Sequence, residues 1–258
     1  MRDLKTFQSD GVEIAYIDEG AASITRSPIL LIHGFASNAE MNWVSTGWVK
    51  DLTAAGYRVV AFDNRGHGNS QKLYGLGDYG APMMAEDAGR LLDHLGIGQA
   101  HVMGYSMGAR IAAFLAIRHP GRVRSLVFGG LGINMVCGMA GTGPIAHALE
   151  AASIDEVKNA TARTFRVFAE QTKSDLKALA ACIRSARDPI TKEALGQLTC
   201  PVLVAVGSDD VIGGPAAQLA ELIPGAKALT IAGREHMKAV GDRTFKAAVL
   251  EFLARQGA

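Results

Sequence analysis

The segment Gly104-Tyr105-Ser106-Met107-Gly108 puts a serine between two glycines where the apolar run 101–104 gives way to a stretch of helical character. A side chain held at so sharp a strand-to-helix turn sits on strained backbone, and glycines two before and two after let neighbouring chain pass close by. The hydroxyl is thereby pushed out above the sheet, where it can act as a nucleophile. Serine is a weak nucleophile near neutral pH and needs a base, usually an imidazole held in place by a carboxylate. On an elbow of this kind the chain order is serine, acid, histidine. Downstream of Asp209 and Asp210 there is one histidine, His236, in a loop just after the last predicted strand. The acid is sought after the run 202–206, because Gly129-Gly130-Leu131-Gly132, at the preceding strand end, has no carboxylate. Asp210 is preferred, although chemistry alone does not separate it from Asp209, and the pair could instead form a turn or cap the helix entered near Pro215.

Attack on a carbonyl also needs donors for the oxyanion, and unpaired amides at a helix start suit that role. The amide of Met107, which opens the helix behind the serine, is one candidate; that of Phe35, in the loop after His33-Gly34, is the other. Tyr105, Met107, Met135 and Met139 are candidate apolar walls of a pocket. His33 and His67 each stand beside a glycine at a strand end and are read as loop-orienting groups bonded to backbone. Asp63 and Arg65 are read as fixing the second loop in the same way.

The elements that must hold these groups follow from hydrophobic patterning. Runs 29–32, 58–62, 101–104 and 202–206 are mostly apolar without clean alternation, as expected of parallel strands buried on both faces. Stretches 40–54, 84–95, 107–118, 216–222 and 244–255 have helical character, and 123–128 and 227–231 complete the later strands. This rhythm predicts right-handed crossovers and a doubly wound sheet. Segment 12–18 alternates and fits an antiparallel edge hairpin with the chain near Thr6. Ligands of such sheets bind beyond the carboxyl ends of the strands, where His33-Gly34-Phe35, 63–68, Ser106 and 207–210 all open onto one edge. Between 132 and 197 no strand is evident, glycines cluster from Gly138 to Gly143, and helical segments run over 154–170 and 174–185; this predicts an inserted helical cap.

With 258 residues, 48% of them hydrophobic, the chain is expected to form one domain around a large core. Its net charge is +1, with lysines and arginines scattered, so neither nucleic acid nor an anionic membrane is an expected partner and a small molecule is. The amino terminus lacks the pattern of a signal peptide and no apolar run is long enough to span a bilayer, which points to a cytoplasmic protein. Cys137, Cys182 and Cys200 are widely spaced and read as packing residues, not as a disulfide or zinc site. Nothing in the residues sets the oligomeric state.

Five blocks in order, Leu31-Ile32-His33-Gly34-Phe35, Asp63-Asn64-Arg65-Gly66-His67-Gly68-Asn69-Ser70, Gly104 to Gly108, 201–210 and 233–236, together resemble the α/β-hydrolase fold superfamily, in its serine-nucleophile, esterase- and lipase-like branch with a helical cap. The resemblance covers nearly the whole chain. It implies an eight-stranded, mostly parallel sheet, a cap over 132–197 within a single domain 1–258, and a Ser106, Asp210, His236 triad that works without a cofactor or metal. Relatives that open epoxides or displace halide carry aspartate at the elbow, so Ser106 argues against both. The resemblance implies hydrolysis of small carboxylic esters through an acyl-enzyme. An enol-lactone or a carbon–carbon bond is the alternative on the same triad, and a non-catalytic ligand receptor or scaffold is the reading from another class. Arg163, Arg166, Arg184 and Arg187 of the cap segment are read as solvated helix faces.

Overall fold

The structure, a computed structural model, describes residues 4–20, 26–138, 142–185 and 189–257. In chain order the elements are β1 (Lys5–Ser9), β2 (Val12–Glu19), β3 (Ile29–Ile32), α1 (Trp48–Ala54), β4 (Val59–Phe62), α2 (Ala81–His94), β5 (Ala100–Tyr105), α3 (Met107–Arg118) and β6 (Val123–Gly129). There follow α4 (Asn134–Cys137), α5 (Thr142–Glu150), α6 (Ala160–Gln171), α7 (Leu176–Arg184) and α8 (Lys192–Gly196), then β7 (Val202–Gly207), α9 (Ala216–Ala220), β8 (Lys227–Ile231), α10 (His236–Ala239) and α11 (Arg243–Ala254).

The strands form one eight-stranded sheet in the order β1-β2-β4-β3-β5-β6-β7-β8. β2 is antiparallel to β1 and β4, and the remaining neighbours are parallel. Every residue of β3, β4, β5 and β7 is buried, which explains why these segments read as continuous apolar runs. The two-residue period of the strand still sorts the side chains by face. Leu30, Ile32, Val60 and Phe62 join α2, α3 and α9 in one core layer, while Ile29, Leu31, Val59 and Ala61 pack with Trp43, Trp48 and α11 in the other. β3 lies between β4 and β5, so strand order reverses at the centre of the sheet and the loops after β3 and β5 diverge there.

Between β6 and β7, α5, α6 and α7 assemble a third apolar cluster of their own, which also takes in Phe35, Ala36 and Tyr79 from the loops at the sheet edge. These helices thus rest on the loop that follows β3. Among the described residues, no helix is long and apolar enough to cross a membrane.

Several boundaries differ from the sequence expectation. The stretch 40–54 is a π-helical turn, Glu40–Val44, followed by α1, because Gly47 takes φ 82° and interrupts the helix. Trp43 and Trp48 on either side of the break are both fully buried, so the apolar spacing continues across it. The stretch 154–170 likewise divides into a 3-10 turn, Ile154–Glu156, and α6, whose N-cap Asn159 accepts from the Ala162 amide. α5 was hidden by Gly143 and Pro144, yet proline is tolerated in a first turn, where its missing N–H would have no partner. Arg166 is not on a solvated face: it is 6% exposed and donates through Nη1 to the carbonyls of Ala148, Leu149 and Ala151, closing the end of α5. Arg187 lies outside the described residues. Cys182 is buried as a packing residue, whereas Cys137 is exposed.

Candidate active site

Ser106 joins β5 to α3 with φ 55° and ψ −113°, a backbone conformation that costs a non-glycine residue about 1–3 kcal/mol and persists only where its surroundings impose it. The surroundings are two glycines. A Cβ on Gly104 would collide with the Gly108 carbonyl, and one on Gly108 would collide with the Ile32 carbonyl at the end of β3. α3 can therefore start directly beside the end of β3 only with glycine at both places.

The Ser106 hydroxyl lies 2.9 Å from Nε2 of His236, and Nδ1 of the same ring lies 2.8 Å from Oδ2 of Asp210. His236 is the first residue of α10, just beyond β8, and Asp210 follows β7. Both side chains are nearly removed from solvent. Because the Asp210 carboxylate accepts at Oδ2, Nδ1 carries the proton and Nε2 presents its lone pair to the serine. The other Asp210 oxygen accepts from the amides of Ile212 and Gly213, at 2.9 and 2.8 Å, so the carboxylate is held rigidly. Geometry separates the two aspartates that chemistry could not: Asp209 is exposed and accepts from its neighbour Ser208.

Tyr105 braces the ring. Its hydroxyl donates to the His236 carbonyl at 2.5 Å, and the two rings lie 5.6 Å apart. Burial, and then the Asp210 charge, hold the phenol well above the usual tyrosine range, so it remains a donor. Tyr105 is among the residues that line the cavity beside Ser106, and it also ties β5 to the start of α10.

The loop after β3 is fixed by one peptide plane. His33 Nδ1 donates to the Gly34 carbonyl at 2.7 Å, and the Ser37 amide donates to the same oxygen at 3.2 Å. In a trans peptide the N–H points opposite to the C=O, so the Phe35 amide faces away from His33. The Gly34 amide is taken by Oδ1 of Asn42 at 3.1 Å. Among the described residues the structure gives no acceptor for the amide of Phe35 or of Met107. His33 accepts at Nε2 from the Asn64 amide, so both ring nitrogens have backbone partners that require the neutral form. Burial pushes its pKa down to about 4, with the Gly34 bond opposing. His67 bonds the Arg65 carbonyl, and burial and the neighbouring His33 lower it to about 3. The loop-orienting reading of both histidines fits these contacts.

Asp63 receives the amides of Ala39 and Asn69, as expected of a loop anchor. Arg65 departs from expectation. Its Nη1 reaches the Asp78 carbonyl, but Nε and Nη2 make a bidentate pair with the buried Asp87 of α2 at 2.7 and 2.8 Å.

A cavity of about 280 Å³ opens beside Ser106 and His236, walled by Phe35, Met41, Tyr105, Phe168 and Met237 among others. Met107 lines a smaller neighbouring cavity. Met135 is not a wall: it is fully buried in the core layer beneath α3, because α4 turns it toward the sheet. Met139 lies outside the described residues. Phe165, Phe168 and Met237 were missed as walls; the first two stand three apart on α6, a spacing that shows a shared helix face without showing what the face meets. Among the described residues no cluster of three His, Cys, Asp or Glu side chains could hold a metal.

A sheet of this order with these crossovers and a serine elbow after the fifth strand defines the α/β-hydrolase architecture. A sequence model described as alpha/beta hydrolase fold matches residues 27–137. A hydrolase from Pseudomonas aeruginosa PA01 is similar in structure, with a TM-score of 0.75 and 26% identity over 97% of this chain and 98% of that one. The esterase RhEst1 from Rhodococcus sp. ECU1013 gives a TM-score of 0.73 at 26% identity, over 98% of this chain and 99% of that one. In sequence, the dihydrolipoyllysine-residue acetyltransferase component of the acetoin cleaving system from Cupriavidus necator is 38% identical over 117 residues, 45% of this chain. The match spans only 29% of that relative's length. The chain has the α/β-hydrolase fold.

Proposed function

We propose that this protein is a serine hydrolase of small carboxylic esters. The observation that carries the reading is the unbroken chain of hydrogen bonds Ser106–His236–Asp210, at 2.9 and 2.8 Å, beside an apolar cavity. Ser106 Oγ attacks the ester carbonyl while Nε2 of His236 takes its proton, and the amides of Phe35 and Met107 donate to the oxyanion. The adduct collapses as the imidazolium returns the proton to the leaving alcohol. Water, activated by the same nitrogen, then attacks the acyl-enzyme and releases the acid and the free serine. Asp210 keeps the imidazole in the required tautomer and stabilises its cation. The helices between β6 and β7 act as a cap over 132–197 that covers the substrate. The walls of the larger cavity are apolar or neutral apart from His236, which supports an uncharged small-molecule substrate.

The test is hydrolysis of p-nitrophenyl esters by the wild type, Ser106→Ala, His236→Ala, Asp209→Asn and Asp210→Asn. Ser106→Ala and His236→Ala should fall to background, and Asp210→Asn should lose on the order of 10⁴ in kcat. Asp209→Asn should stay near wild type. A wild type no faster than Ser106→Ala on esters, lactones and carbon–carbon substrates would overturn the hydrolase reading in favour of a ligand receptor.

A further inference from the structure

Ser106 stands where two cavities meet. The larger, of about 280 Å³, runs past His236, Met237 and Phe168. The smaller, of about 50 Å³, lies against Met107, Leu131, Ile183 and Ile212. Three residues line both: Ser106, Phe35 and Phe165. The Phe35 and Phe165 rings meet edge to face with centroids 5.9 Å apart. Two aromatic rings, one from the loop after β3 and one from α6, therefore form a partition beside the nucleophile.

Resting on the hydrolase reading above, proton transfer decides which half of an ester each cavity receives. When the tetrahedral adduct on Ser106 collapses, the carbon–oxygen bond to the alcohol breaks and the Nε2 proton of His236 passes to that oxygen. The leaving group must then lie in a cavity that touches both Ser106 and His236, and the larger cavity does. A third cavity, of about 230 Å³, touches His236 without Ser106, so it cannot hold a group still bonded to the adduct. The acyl chain leaves the same carbon in another direction, toward the smaller cavity on the Met107 side. At about 10–15 Å³ for each water-sized site, 50 Å³ has room for about three to five such groups. Arg110 at its edge is engaged through Nη2 with the carbonyls of Asn134 and Met135.

We infer that the Phe35–Phe165 partition makes this protein selective for esters that pair a short acyl group, of no more than about five carbons, with a larger, uncharged and mainly apolar alcohol. Phe165 is the specificity-determining residue, because it lines both lobes and takes no part in the hydrogen bonds of the Ser106–His236–Asp210 chain.

The decisive comparison uses two isomers of equal size and similar leaving-group acidity, octyl acetate and ethyl octanoate, scored as kcat/KM. The wild type should favour octyl acetate by at least about tenfold, the scale on which a pocket rejects surplus methylenes. Phe165→Ala should narrow that ratio by raising the rate on ethyl octanoate, and Ile183→Ala, which enlarges the smaller lobe alone, should do the same. Should Phe165→Ala melt below the assay temperature, Phe165→Leu reports the same change in milder form. A wild type that favours ethyl octanoate or does not discriminate overturns the partition. So does a Phe165 variant whose ratio is unchanged. Activity that survives in Ser106→Ala would instead sink the hydrolase reading, so the two failures are distinguishable.

Discussion

The Tyr105 hydroxyl donates to the carbonyl of His236 over 2.5 Å, linking the residue before the proposed nucleophile to the main chain of the proposed base. Both ends of the Ser106–His236 contact are thus set by neighbouring positions on one strand end. Tyr105→Phe keeps the ring and removes the bond. It should leave the fold intact with a cost of about 1–3 kcal/mol for the unpaired carbonyl, and lower kcat several-fold with little change in KM. Thermal melting beside steady-state kinetics checks both halves, and a variant with wild-type kcat would show that the ring alone positions His236.

Asn42 holds the other side of the site. Its Oδ1 accepts from the Gly34 amide, and its buried Nδ2 has no partner among the described residues. The peptide that follows Gly34 carries the Phe35 amide, so freedom at Gly34 becomes misdirection of a proposed oxyanion donor. Asn42→Ala should reduce kcat about tenfold or more, within the range seen when such a donor is weakened, while the KM for a short ester stays within a factor of two or three (about 1 kcal/mol or less,). A purely structural role would instead lower the melting temperature and leave the kcat of the folded fraction unchanged.

Buried neutral histidines make acid stability a direct readout of the loop after β3. The folded pKa of His33 lies near 4 against an ordinary value of 6.5. Between those values the unfolded chain binds the proton and the native chain does not, so stability rises with pH across that window. The contribution is complete above about 6.5 and is lost as pH falls toward 4. At 1.36 kcal/mol per unit, lowering the pH from 7 to 4.5 should remove about 2 kcal/mol through His33 alone. Urea unfolding of wild type and His33→Gln at the two pH values measures it. An equal acid loss in the variant would place the effect on other groups, His67 and His101 first.

Much of the frame was legible because the chemistry of parallel strands is one-dimensional. A strand buried on both faces must be apolar throughout, and its carboxyl end must carry whatever reacts, so β3, β5 and β7 announce both themselves and His33, Ser106 and Asp210. The walls were not legible, because a wall depends on which way a helix is rotated about its axis. Met135 and Met107 are equally apolar, yet the short α4 turns one into the core and α3 turns the other toward a cavity. Arg166 was misread for a related reason. The carbonyls it closes belong to α5, whose own start was concealed by Gly143 and Pro144, so nothing local to α6 pointed to a buried cation.

Arg65 and Asp87 are 5% and 1% exposed at the side chain and joined by two short bonds, tying the loop after β4 to α2. Ser9 Oγ also donates to Asp87, so the edge hairpin shares the same anchor. Two charges withdrawn from water gain little net energy by pairing, but leaving one without the other is expensive. Asp87→Leu should therefore destabilise the protein by about 3–5 kcal/mol, with Arg65→Leu comparably damaging. The double variant Arg65→Leu/Asp87→Leu should be no less stable than either single one, because it buries no uncompensated charge. Denaturant unfolding of all four proteins closes the cycle. If the two losses simply add, the pair contributes independent packing, and the loop carrying His67 is held by its backbone contacts instead of by this ion pair.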